Sequence, residues 1–484
     1  MQEIFNSDSK KRNRKILYFI LFLLLFTDTS YSFFQHYAQP LDGDLAWNIV
    51  PSQDVSPILE SPFGTDVFFS QQPYSNPNRF FCHWGIKKYF ENVPIILQVA
   101  VTPIESVYLS AAILKILVQI LLIALLSIAI SGTKNIFKLD FIISAVLIAP
   151  LFQTNGYKHY MGIIDSTPTY TFFYALPILV IVIYFLPLIF RLYHNNPSKP
   201  NFIKILIWIV LSVIASLSGP LNTGIALICS VLLFINFFLS KRNKEESGLV
   251  KNNNKKLPFE FFAYLIPISI FSVYSLFIGQ YNLNNTHASL TELYSKLPIG
   301  IYLQFTQKLG FPILFLILFI NVLIIRKHYN NESGRKILNT FKWIGIFTII
   351  YILLLPFGGY RDYRPNVVRY DTILPITLCL IFMFGASTLH IFRNISKNKS
   401  YYFLLIALIL LIYTTADKPE FENNKCEKDA LTEIARSPGD TIILNNNCPV
   451  LTWNKNIKPE DSELNSNLLL LWGITKTRKI YYTK

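Results

Sequence analysis

The chain has 484 residues, 52% of them hydrophobic and only 15% charged, and its mean hydropathy is positive. A soluble protein of this length carries about a quarter charged residues, so the apolar excess calls for lipid as solvent. A net charge of +15 suggests a nucleic-acid partner, but Lys and Arg sit in short clusters between apolar runs, which is how membrane topology is written.

A bilayer core asks for about 20 apolar residues per helix, and shorter runs are tolerated inside a bundle. In chain order the sequence predicts an all-α polytopic membrane protein with eleven such helices. They fall at 16–35, 105–131, 139–153, 170–190, 204–218, 221–240, 258–279, 311–325, 343–357, 372–392 and 401–415. The first run lacks a small-x-small cleavage site and reads as a retained anchor. With the N-terminus in the cytoplasm, the loops on that side hold 24 basic residues and the opposite loops nine, a positive-inside asymmetry. The expected location is a bacterial cytoplasmic membrane. An odd helix count then makes 1–415 a membrane domain and 416–484 a small external one. Strand-like runs stand at Thr441–Leu444 and 480–482. Cys426 and Cys448 of that tail would face an oxidising compartment, where they are either bridged or two unrelated cysteines. Cys229 and Cys379, inside apolar runs, read as small core residues.

The basic loops contain no Walker A sequence and no G-x-G-x-x-G, and HExxH and G-x-S-x-G are missing as well. Nucleotide hydrolysis and the common zinc- and serine-hydrolase chemistries therefore have no visible home. The opposite side is richer. The loop from about 36 to 105 is too long for a connector, and it opens on Asp42-Gly43-Asp44 just beyond the first helix. Carboxylates at a cavity mouth are costly unless paired, bound to a cation or used as a base; the bland alternative is a solvated turn. The same loop holds Arg79 and His83 among aromatic and amide side chains that suit a sugar or lipid-phosphate ligand, or equally an interfacial belt.

A second constellation lies in the loop before the tenth helix, where Arg361, Arg364 and Arg369 fall within nine residues on the side that otherwise avoids basic charge. Either the arginines bind an external phosphate, for which the planar guanidinium fork is suited, or they pair with Asp362 and Asp371. Asp28 and Lys115 are intramembrane charges expected to pair with each other. His159, Asp165 and the run Gly219-Pro220-Leu221-Asn222-Thr223 are expected to line the same cavity in structural roles.

This arrangement resembles the GT-C superfamily of polyprenyl-phosphate-sugar-dependent membrane glycosyltransferases. Its members carry an acidic D-x-D or E-x-D motif in a long first external loop, as Asp42-Gly43-Asp44 does here, and many have an Arg-Tyr followed by a proline at a late helix. Arg369-Tyr370-Asp371-Thr372-Ile373-Leu374-Pro375 looks like that pattern. The resemblance implies an inverting transfer on the external face, from a polyprenyl-phosphate sugar donor to a glycan, lipid or protein acceptor. Asp42 or Asp44 would act as general base or help hold a divalent cation. Arg361, Arg364 or Arg369 would stabilise the leaving lipid phosphate, and all three would bind substrate together with Tyr370, Arg79 and His83. No metal-ligand spacing is present, and the cofactor is left open. An O-antigen-polymerase-like or ligase-like enzyme and a lipid or polysaccharide transporter are the alternatives. The transporter would show internal repeats, and none is evident.

Overall fold

The computed structural model describes residues 2–50, 52–53, 55–152, 161–196, 201–246, 259–286, 288–307, 309–329, 331–395, 399–445 and 447–484. All eleven apolar runs form helices. Eight of these, among the described residues, are long and apolar enough to cross a membrane: Arg12–Tyr37, Pro103–Ser131, Pro168–Tyr193, Pro220–Leu239, Phe261–Gly279, Gly310–His328, Glu332–Gly358 and Leu374–Asn394. Leu139–Leu151, Phe202–Ser216 and Ser400–Ala416 are shorter apolar helices. The chain is a multi-pass α-helical membrane protein.

Local sequence sets several helix starts. Thr102 accepts from the Glu105 amide ahead of Pro103, and Asn201, Ser289 and Asn331 cap their helices in the same way. Packing sets depth. The most apolar window of Leu374–Asn394 is 83% buried and that of Arg12–Tyr37 only 6%, so the former runs through the bundle and the latter presents its apolar side chains outward. Inside the bundle Asn321 donates to Ser387 and Thr388 and accepts from the Tyr402 hydroxyl, a cross-helix polar tie in an apolar core.

The first long loop is more ordered than its sequence suggested. It folds into short helices at Leu45–Ile49, Ser56–Glu60 and Thr65–Ser70 and a long one at Phe80–Leu97. A further helix, Leu290–Thr306, follows the Phe259–Gly279 span. Neither Phe80–Leu97 nor Leu290–Thr306 was expected, because both mix charged and apolar residues and give no membrane-span signal.

The tail contains helices Lys425–Arg436 and Glu463–Leu471 and two parallel strands, Thr441–Leu444 and Ile480–Thr483, close to the runs read from sequence. Cys426 and Cys448 are bridged, with their Cα atoms 6.0 Å apart. The tail packs onto the 36–105 loop. Trp472, fully buried, donates its indole N–H to the Phe90 carbonyl and its own carbonyl accepts from Gln98. Glu427, also buried, accepts from the Leu41 and Leu451 amides and the Tyr108 hydroxyl, and Lys428 pairs with Glu105 at 2.9 Å. Its apolar core is continuous with that of the helices, so 416–484 is docked rather than tethered.

Candidate functional site

The Asp-Gly-Asp turn divides its two carboxylates. Asp42 is buried. Its oxygens accept from the Asp44 amide (3.0 Å), the Thr169 amide (3.0 Å) and the Thr169 hydroxyl (2.7 Å). Behind it lie Lys115, which donates to the Ser166 carbonyl, and Asp165, which accepts from the Thr167 amide and hydroxyl. Burial, opposed by the Thr169 amide and helped by the charge of Asp44, pushes Asp42 up to about 6. Asp165 is pushed up to about 7 by burial, against the Thr167 donors and Lys115. The sequence expectation paired Lys115 with Asp28; instead Lys115 lies in the field of Asp165 and Asp42, while Asp28 is in that of Asp417.

Asp44 points the other way. It begins the Leu45–Ile49 helix and lines a cavity of about 730 Å³ between the loops and the tail, where its Oδ1 accepts from the Trp453 indole at 3.2 Å. A Cβ at Gly43 would meet Trp453 at 2.7 Å, so glycine here admits the tail's closest approach rather than serving a strained turn. Asp44 can therefore reach a bound molecule, whereas Asp42 is enclosed by donors and lines neither of the cavities described here. This narrows the sequence expectation to one of the two carboxylates.

Arg79, His83, Arg361 and Arg364 line the same cavity as Asp44. Arg79, Arg361, Arg364, Phe173 and Tyr174 also line a second cavity of about 260 Å³. Its other walls are largely apolar, including Leu221, Leu227, Ile228, Leu293, Leu354 and Phe357. The two cavities thus meet at the guanidinium groups.

The four arginines are not equivalent. Arg369 grips Asp371 with two hydrogen bonds of 3.0 Å and donates to the Asn366 carbonyl. Arg364 shares Asp371 (3.0 Å) and donates to the hydroxyls of Tyr170 and Tyr174. Burial works against its charge, but Tyr174, Tyr170 and Asp371 outweigh it and hold Arg364 above its usual range. Among the described residues the hydrogen-bond partners of Arg361 are neutral, Asn76 Oδ1 at 3.0 Å and the Tyr363 hydroxyl at 2.7 Å. Asn76 tolerates the left-handed φ of 55° that this position requires. Arg79 lies over the Phe173 ring, 5.6 Å from its centre, and its buried Nε has no hydrogen-bond partner. Burial lowers its pKa, and Arg361 and Arg364 lower it further. Among the described residues neither Arg79 nor Arg361 has a carboxylate within ion-pair distance, and neither pairs with Asp44.

His83 stands edge-on to Phe173 with both ring nitrogens buried and unpartnered, and burial, then Arg79 and Arg361, lowers it to about 3. A neutral imidazole beside two guanidinium groups without carboxylate partners leaves this part of the cavity wall locally positive, suited to a phosphate. Tyr370 lines neither cavity. Gly219, Pro220 and Leu221 line the smaller one, where the Gly219 amide binds the Asn78 carbonyl and helps place Arg79. His159 lies outside the described residues.

Sequence reasoning missed Tyr170, Tyr174 and Trp453. The two tyrosines are four residues apart on a helix that runs through a π turn at Thr171–Ala175, a local widening found often at functional sites. That i, i+4 spacing after Pro168 was a usable signal; Trp453 had none, because its role depends on the tail docking. Asp44 and Asp461 are the carboxylates of the larger cavity, and no three His, Cys, Asp or Glu side chains converge as a metal site among the described residues. No protein-family model matches the chain, and no curated protein sequence does.

Proposed function

We propose that the chain is a membrane glycosyltransferase of the GT-C kind, moving a sugar from a polyprenyl-phosphate donor to an acceptor on the face away from the cytoplasm. One observation carries the reading: an apolar cavity and a more polar one share Arg79 and Arg361, which have no carboxylate partner among the described residues, and an accessible aspartate lines the more polar one.

In this reading the first isoprene units occupy the apolar cavity and the phosphate binds Arg79 and Arg361, with Arg364 behind them. The sugar projects into the larger cavity. Asp44 takes the proton of an acceptor hydroxyl as its oxygen attacks the anomeric carbon. The bond from that carbon to the phosphate oxygen breaks, and the electron pair leaves on the lipid phosphate, where the arginines stabilise it. The products are a glycoside with inverted anomeric configuration and polyprenyl phosphate; the proton rests on Asp44. In this reading the N-terminus is cytoplasmic, as the basic loops argue, and the three shorter apolar helices cross along with the eight long ones, which would put the site and the tail on the external side.

The test is release of polyprenyl phosphate from synthetic polyprenyl-phosphate sugars by the purified protein in lipid. Asp44→Asn keeps the shape and removes the base, so turnover is expected to fall about 10²–10⁴-fold with folding unchanged. Turnover of polyprenyl-diphosphate-linked sugars instead, with release of polyprenyl diphosphate, would point to the polymerase-like alternative. Normal turnover in Asp44→Asn would reject the acid–base assignment.

A further inference from the structure

The tail side of the larger cavity is used by nothing in the reaction as described, although the tail contributes Trp453, Asp461 and Asn465 to it. Trp453 is 56% exposed, its indole is tied to Asp44, and its ring lies 6.5 Å from that of Tyr170 at 42°. Beneath Asp44, Asn48 donates to the Asp44 carbonyl while its own side-chain oxygen is buried without a partner, although the residue lines the cavity. A buried acceptor without a donor is costly, and in the wall of a cavity it is a place that a ligand's hydroxyl can fill.

Building on the function proposed above, we infer that the tail forms the acceptor half of the site and that the acceptor is a saccharide. Exposed aromatic faces beside amide and carboxylate side chains match a sugar ring, with apolar C–H groups on its faces and hydroxyls around its edge. A polypeptide acceptor would draw on main-chain pairing, yet neither tail strand lines this cavity. Trp453 does two things in this arrangement. It stacks on the acceptor, and in the empty site its indole N–H occupies the carboxylate oxygen that the acceptor hydroxyl must reach. An incoming sugar that displaces the indole frees Asp44 as it arrives. Just ahead of Trp453 the chain is tied twice to the Lys425–Arg436 helix, by the Cys426–Cys448 bridge and by Glu427, which accepts from the Leu451 amide.

The experiment uses the full chain in lipid and two probes. Undecaprenyl phosphate reports the donor site. A panel of soluble mono-, di- and trisaccharides, with and without N-acetyl groups, reports the acceptor site. At least one saccharide is expected to quench indole fluorescence and raise the unfolding temperature. In Trp453→Phe the quench disappears while part of the thermal protection survives, and in Trp453→Ala protection weakens at least about tenfold, the worth of one good contact. Undecaprenyl phosphate still binds both variants. If undecaprenyl phosphate binds but no saccharide does, or a Ser/Thr/Asn peptide protects in its place, the saccharide acceptor is wrong and the transferase reading stands. If saccharides bind and undecaprenyl phosphate does not, the donor reading fails instead.

Discussion

Two regions on either side of one short turn carry opposite electrostatic designs. Behind Asp42 most of the buried charge is answered: three donors reach its carboxylate, Lys115 has the Ser166 carbonyl, and one oxygen of Asp165 has the Thr167 donors, although its other oxygen is buried without a partner. In front of Asp44, among the described residues, two guanidinium groups are left without carboxylate partners and a neutral imidazole without a hydrogen-bond partner, in space that a ligand could fill. Answered charges hold a fold together, because removing one partner strands the other in a poor solvent. Unanswered charges detract from the empty protein's stability, and what offsets that cost is a bound ligand. The Arg364–Asp371–Arg369 cluster belongs with the first region and Arg79 and Arg361 with the second, although four of these five residues come from one loop.

The comparison breaks most visibly at Asp371. Asp371→Ala strands two guanidinium groups at once, so a loss of about 3–5 kcal/mol of stability is expected, read from thermal or chemical unfolding in detergent. An unchanged midpoint would mean that the pairing holds nothing. A smaller effect sharpens the same contrast. Asp42, Asp165 and Glu427 are all raised above the ordinary carboxylate range, to about 6, 7 and 7, each chiefly by burial. A carboxyl group raised on folding contributes stability that is full below its unfolded pKa of about 4 and is lost as pH climbs through the folded value. The unfolding temperature should therefore fall by several degrees from about pH 5 to pH 8, and the slope should lessen in Glu427→Gln. A rise over that interval would contradict the raising of these groups by burial.

The two regions also differ in how far the sequence reveals them. The apolar runs became helices because hydropathy is a local property of some twenty residues. Phe80–Leu97 and Leu290–Thr306 escaped notice because Lys87, Lys88 and Glu91 in the one, and Glu292 and Lys296 in the other, dilute the apolar signal. The Asp-Gly-Asp turn and the arginine loop could be picked out by residue type, on the side where such charge is unexpected. Which member of each set is enclosed could not, because the answers come from far along the chain: Thr169 encloses Asp42, and Tyr170 and Tyr174 reach Arg364. Only the Arg369–Asp371 pair is local enough to read, and it stood in the sequence as one of two alternatives.

The most direct test of the division between answered and unanswered charge is the binding of undecaprenyl phosphate to the wild-type chain, Arg79→Gln, Arg361→Gln and Arg369→Gln, with the unfolding temperature of each measured alongside. The account predicts affinity weakened about tenfold or more in the first two variants, one charge-assisted hydrogen bond's worth, at unchanged or raised stability. Arg369→Gln should lose stability first and binding less. Equal loss of affinity in all three variants, or a loss of stability in Arg79→Gln and Arg361→Gln matching that of Arg369→Gln, would contradict it.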